Sequence, residues 1–143
     1  MANVRERENH LVRKLRDRGY RLTPQRLALV GLIAASEGHP SAAQLHARIR
    51  RRFSTMSPAT VYKLLALLKE QGEVLEIDLR DESRYDGNRP DPHPHLVCTM
   101  CGRIVDASMD LEPGWLRDIE TRSGYRIDRH TLTLFGACPE CRT

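Results

Sequence analysis

The sequence predicts an α+β chain, with an amino-terminal winged helix followed by a smaller α/β unit. Three observations predict it. A basic first half carries well-marked helical signals that end in a short two-strand pattern, a proline-dense stretch interrupts the chain at residues 88–94, and two Cys-x-x-Cys pairs bracket most of the remaining chain. Charge divides in the same place. Residues 1–72 hold 14 Lys+Arg against 5 Asp+Glu, and residues 73–143 hold 9 against 14. A basic half beside an acidic one suits a polyanion-binding module joined to a module with another task, the plain alternative being a solvated basic surface. There is no run of about 18 apolar residues, and the opening MANVRERENHLVRKLRDRG is charged where a secretory signal needs an apolar core. The expectation is a cytoplasmic chain with no membrane partner.

The elements come in order along the chain. RENHLVRKLRDRG places Leu11, Val12 and Leu15 on one helical face, with Gly19 as the stop. LTPQRLALVGLIAASEG offers Thr23 as N-cap and Pro24 at the first helical position, then Leu27, Val30, Ile33 and Ala34, ending at Gly38. A third helix opens with Ser41 and Gln44 at capping-box spacing, buries Leu45 and Ile49, and turns Arg48, Arg50, Arg51 and Arg52 outward. In SPATVYKLLALLKEQG, Ser57 caps, Pro58 starts the helix, and Val61, Leu64, Leu65 and Leu68 form the buried stripe before Gly72. EVLEIDLRDESRYDG then reads as two short strands round a polar turn at residues 81–83. Beyond NRPDPHP, which cannot be regular structure, HLVCTMCGRIVDAS reads as strand, knuckle, strand. PGWLRDIETRSG reads as a helix carrying Trp115, Leu116 and Ile119, and YRIDRHTLTLFGACPEC as an alternating strand. The expected boundaries are a winged helix over 1–86, a hinge over 87–94 and a zinc-binding unit over 95–143.

Two chemistries emerge. The amino end of the second helix of a helix-turn-helix reaches base edges in the major groove, and there the chain puts Thr60, Tyr62 and Lys63, with Arg48, Arg50 and Arg51 available for phosphates. Cys98 and Cys101, then Cys138 and Cys141, can close a tetrahedral four-thiolate cage with no open position, the structural form of a zinc site. A pair of redox dithiols is the alternative, but nothing thioredoxin-like precedes either pair. His93 and His95 alternate on an extended segment downstream of Asp86, and mixed nitrogen and carboxylate ligation suits iron(II), manganese(II) or zinc(II). A zinc deaminase would need a His-x-Glu segment, which the chain lacks, so an enzyme is not expected. A zinc-ribbon interaction module that binds no DNA is the third class.

The segments LTPQRLALV, SPATVYKLLALLKEQG, SRYD, HPHLVCTMCGRIVD and CPEC, in this order and across nearly the whole chain, closely resemble the ferric uptake regulator family. That resemblance implies a homodimeric metal-dependent repressor with a carboxy-terminal dimerisation domain, a double-stranded DNA operator that is an inverted repeat, and a structural zinc. It also implies a regulatory iron(II) or manganese(II) site at His39, Asp86, His93, His95 and Asp106. Aspartate at both acidic positions resembles the peroxide-responsive branch, where iron sensors typically carry glutamate; the alternative is an iron- or manganese-responsive uptake repressor. A further metal site of many members has Pro92 and Pro94 in place of ligands here, leaving mainly His130.

Overall fold

The structure, a computed structural model, describes residues 3–79, 81–87, 91, 93–107 and 114–142. Arg80 of the expected hairpin, most of the proline-rich joint with Pro92, and Pro113 at the expected start of the last helix lie outside these residues. The chain divides into two compact units, Met1–Pro90 and Asp91–Thr143.

The first unit comprises α1 (Val4–Asp17), α2 (Pro24–Ala35), α3 (Ala42–Arg50), α4 (Pro58–Glu70), β1 (Leu75–Asp78) and β2 (Ser83–Asp86). Each helix after the first begins where a hydroxyl can satisfy a bare backbone amide: Thr23 caps α2, Ser57 caps α4, and Ser41 with Gln44 forms a reciprocal capping box on α3. The apolar stripes converge on one core containing Leu11, Leu15, Leu29, Val30, Ile33, Leu45, Ile49, Val61, Leu64, Leu65 and Leu68. Leu29, not Leu27, holds the buried place on α2, because Leu29 shares a face with Val30 and Ile33 across the helix turns. The helix also stops earlier than Gly38: Ser36 bonds its hydroxyl back to the Leu32 carbonyl at 2.5 Å and ends the helix itself.

β1 and β2 pair antiparallel, Leu75 opposite Asp86 and Asp78 opposite Ser83. A third strip of chain extends this wing. Ser41 bridges Arg84, the Tyr85 amide donates to the Pro40 carbonyl at 2.9 Å, and the Arg84 guanidinium donates to the His39 carbonyl at 3.2 Å. The loop before α3 is thereby stitched to β2.

The second unit comprises β3 (His95–Cys98), β4 (Ile104–Asp106), α5 (Gly114–Ser123) and β5 (Thr133–Gly136). The sheet order is β4-β3-β5, with β3 antiparallel to β4 and parallel to β5. The alternating pattern expected over residues 125–141 becomes a strand only at 133–136, because β3 offers four residues to pair with; upstream, the Ile127 amide is taken by the Glu120 carboxylate at 2.7 Å. Among the described residues this unit buries only Val97, Cys98 and Ile104 as apolar side chains, and α5 buries none. The apolar residues of α5 are open, with Ile119 45% exposed.

Candidate metal centres

The four cysteines converge within the second unit. Cys98 ends β3, Cys101 follows through a tight turn, and Cys138 and Cys141 form a second turn just after β5. The first turn closes with the Gly102 amide donating to the Cys98 carbonyl at 3.0 Å, and Gly102 takes φ +77°, a conformation that favours glycine. The second closes through the Cys141 amide to the Cys138 carbonyl at 2.9 Å. One sulfur from each turn meets at 3.8 Å, and all four lie within 4.8 Å of one another. Zinc–sulfur bonds of about 2.3 Å at tetrahedral angles require sulfurs roughly 3.8 Å apart, whereas a disulfide needs about 2.05 Å. The cage therefore fits a zinc ion and does not fit a disulfide.

The electrostatics of the cage point the same way. Backbone N–H groups of Cys101 and Cys138 aim at the Cys98 sulfur at 3.5 and 3.3 Å and pull its thiol down to about 6. Cys141 moves oppositely, to about 12, chiefly because it shares hydrogen with the Cys138 sulfur and stands among other thiols. Four sulfurs this close cannot all carry charge without a cation among them.

The candidate regulatory ligands fall in both units. In the first, the His39 Nε2 lies 3.4 Å from Asp86 Oδ2, and both residues are buried. This pairing follows from the stitching of the 39–41 loop to β2. His39 adopts φ 54°, which places it on the tight bend into α3.

In the second unit, His93 and His95 both point Nε2 at one oxygen, Asp106 Oδ1, at 3.1 and 3.3 Å. The register of the sheet explains it, since His95 stands opposite Asp106 across β3 and β4. His93 Nδ1 lies 2.7 Å from the Asp91 carbonyl, an acceptor only, so the proton belongs on Nδ1. Ligand atoms near 2.1 Å from one ion stand about 3.0–3.4 Å apart, which is the spacing of each imidazole nitrogen from Asp106 Oδ1. His130 lies edge-on to Trp115, centroids 5.3 Å apart, and belongs to neither group of metal-holding side chains among the described residues.

The residues expected to face DNA lie around α3 and α4. Tyr62 is 56% exposed at the amino end of α4, beside exposed Lys63. Thr60 is half-buried, its hydroxyl 2.9 Å from that of Ser57. Arg48, Arg50 and Arg51 are exposed at the end of α3. The turn between α3 and α4 is pinned by His46 on the Met56 carbonyl and by Gln25 on Thr55, both at 2.9 Å.

The comparisons with known proteins decide the family. The ferric uptake regulator family model matches residues 17–135. The chain belongs to this family. It is 36% identical to the peroxide operon regulator of Bacillus subtilis over 132 residues, covering 89% of this chain and 88% of that protein. The ferric uptake regulator of Helicobacter pylori shares the fold at TM-score 0.76 and 20% identity, covering 99% of this chain and 95% of that one. A peroxide-sensing regulator of Streptococcus pyogenes matches at TM-score 0.51 and 29% identity, covering 94% and 92%. As a family member this chain is a metal-responsive, DNA-binding transcription regulator and not an enzyme, and among the described residues no helix is long and apolar enough to cross a membrane.

One cluster escaped the sequence reading. Arg7, 6% exposed, binds Glu73 Oε2 at 2.8 Å and the Gly87 carbonyl at 2.9 Å, while His10 holds Glu73 Oε1 at 3.0 Å. Burial alone would raise the Glu73 carboxyl, but hydrogen bonds and charge from His10 and Arg7 outweigh it and hold it below the ordinary value. A signal was present: Arg7 continues the Leu11 and Leu15 stripe one turn upstream, where an apolar residue belongs.

Proposed function

We propose that this chain is a cytoplasmic homodimeric repressor that releases an inverted-repeat operator in response to peroxide. The winged helix of 1–86 reads DNA, the segment 87–94 is the hinge, and 95–143 dimerises. The observation that carries the reading is the donor set: three imidazoles and two aspartates, His39 with Asp86 in the first unit and His93, His95 with Asp106 in the second. We assign all five to one regulatory ion, iron(II) or manganese(II), and the four thiolates to a structural zinc. Nitrogen and carboxylate oxygen suit the former and sulfur the latter.

Joined on one ion, His39 and Asp86 tie the α3 entrance and the wing to the sheet of the second unit. That fixes the attitude of α4 for DNA. Ligation is coupled to DNA binding only as far as the ion prefers the DNA-competent arrangement. Iron(II), when bound there, would activate peroxide beside the imidazoles. A ring carbon of His39 or His93 would take one oxygen atom of hydrogen peroxide and supply the two electrons, the other oxygen leaving as water and the iron unchanged overall, and the oxidised ring, a poorer donor, would give up its share of the site. The curated relative named for the peroxide operon supports this reading, as does aspartate at both carboxylate positions.

The dimer is supported by exposed apolar area in the second unit. Leu96, Val105, Trp115, Ile119, Leu134 and Phe135 are each at least 36% exposed, and Leu96 stands opposite both Val105 and Leu134 across the sheet, an apolar strip that a second copy could cover. On DNA, two copies of α4 bring Tyr62 and Thr60 near bases and Lys63, Arg48, Arg50 and Arg51 near phosphates. Mass spectrometry of iron-loaded protein after dilute peroxide tests the sensing step: oxygen added at His39 or His93 supports it. Unmodified histidines with DNA binding intact would leave an iron- or manganese-responsive repressor.

A further inference from the structure

Arg7 spends its whole guanidinium on two places in the first unit. Its Nη1 donates to Glu73 Oε2 at 2.8 Å, its Nη2 donates to the Glu73 carbonyl, and its Nε donates to the Gly87 carbonyl at 2.9 Å. His10, one turn along α1, holds the other Glu73 oxygen at 3.0 Å. The corner after α4 and the exit of the wing are thus fastened to α1 by one side chain. Gly87 is confined from its other side. A Cβ there would stand 2.5 Å from Ile33 Cγ2 and 2.7 Å from the Ile33 carbonyl oxygen. The oxygen is backbone, so no side-chain rotation relieves the clash.

The neighbour of this clamped peptide is Asp86, the last residue of β2, with Oδ2 3.4 Å from His39 Nε2. In a strand, successive side chains point to opposite faces, so a slip of one residue at the wing exit would turn Asp86 away from His39. A buried ion pair gives little net stability over apolar residues of the same size, so stability alone is a weak reason for Arg7 and Glu73. The third arm of the guanidinium, on a backbone carbonyl adjoining Asp86, supplies a better one.

We infer that Arg7, acting through Glu73 and the Gly87 carbonyl, is a positioning residue that sets Asp86 for ligation and so tunes the affinity of the regulatory site for a divalent cation. The inference rests on the reading of Asp86 as a ligand. It requires the guanidinium: Lys at position 7 has one nitrogen and cannot span the three acceptors.

The test is manganese(II) titration of the full-length zinc-loaded protein, following free manganese by electron paramagnetic resonance. The variants are Arg7→Lys, Gly87→Ala and the charge-free Arg7→Met/Glu73→Leu, with Asp86→Asn as reference. Loss of an outer-shell support weakens metal binding by about 10–100-fold, and each clamp variant is expected to fall in that range. Zinc content and far-ultraviolet dichroism should stay as in the parent, and amide exchange at residues 84–87 of the manganese-free protein should speed up. A lowered melting temperature with unchanged manganese affinity in the folded protein would show a merely structural role and overturn the inference. If Asp86→Asn weakens manganese binding and the clamp variants do not, the clamp alone is wrong. If Asp86→Asn binds as the parent does, the ligand assignment fails and the clamp with it.

Discussion

Cys138→Ser should unfold the second unit and spare the first. The core of the molecule lies in the first unit, where Leu11, Leu15, Leu29, Leu45, Leu64, Leu65 and Leu68 are almost wholly buried. Among its described residues the second unit buries three apolar side chains, Val97, Cys98 and Ile104. At roughly 1.5–3 kcal/mol for a fully buried side chain, those three supply less than the apparent 10–16 kcal/mol that a structural zinc contributes to a small domain. The zinc term dominates. Serine at 138 removes one of four sulfurs and leaves the 3.8 Å edge to Cys101 without its partner. It also loosens the turn that ties the end of β5 to β3, where the Thr99 amide bonds the Gly136 carbonyl at 2.8 Å. Zinc content by a colorimetric chelator, read with peptide-level hydrogen exchange, should show zinc lost and residues 95–107 and 133–142 exchanging freely. Residues 24–35 and 58–70 should keep their protection. A Cys138→Ser protein with full zinc and a protected second unit would refute this reasoning.

The candidate metal sites, α4 and the clamp carry further expected outcomes. His93→Ala should weaken manganese(II) binding and remove most of the metal dependence of DNA binding, a coupling of the size of about 1–3 kcal/mol usual for linked sites; unchanged metal dependence in a filter-binding assay would contradict it. Tyr62→Ala should cost about 1–3 kcal/mol on the operator and relax sequence preference, while Arg50→Ala should weaken all duplexes alike and make the salt slope shallower by about one. Equal losses on operator and random DNA for Tyr62→Ala would count against its place at the bases. Glu73 has a lowered folded pKa, so its stabilisation is fully present above the ordinary value of 4.5 and is lost as pH falls through the folded one. Acid denaturation below that pH should therefore flatten in Glu73→Gln, and an identical profile would remove Glu73 from the acid response.

The first unit was legible because three of its four helices announce their starts. Thr23, Ser57 and the Ser41–Gln44 box cap where their types and spacing say they should, and the stripes from Leu11 to Leu68 keep helical period. The four-thiolate cage was legible for a different reason: C-x-x-C spacing is short-range geometry and needs no knowledge of the fold. Of the candidate regulatory donors, His93 and His95 downstream of Asp86 could be read from the residues, but His39 could not, since it lies 47 positions from Asp86 and meets it only because the loop before α3 pairs with β2. Their assignment to one site came from family resemblance. Alternation misled over residues 125–141, where a short partner strand limits β5 to four residues. Arg7 was missed because a long-range clamp has no sequence period beyond one charged residue in an apolar stripe.

Metal at the five-donor site should control DNA binding, and peroxide should reverse that control only through iron. The most direct measurement is operator affinity by fluorescence anisotropy, with the zinc-loaded protein bare, with manganese(II) and with iron(II), each before and after dilute peroxide. Weak binding without a second metal, tight binding with either, and loss after peroxide only for the iron form is the predicted result. Tight binding by the protein carrying zinc alone, or equal resistance of the iron and manganese forms to peroxide, would contradict it.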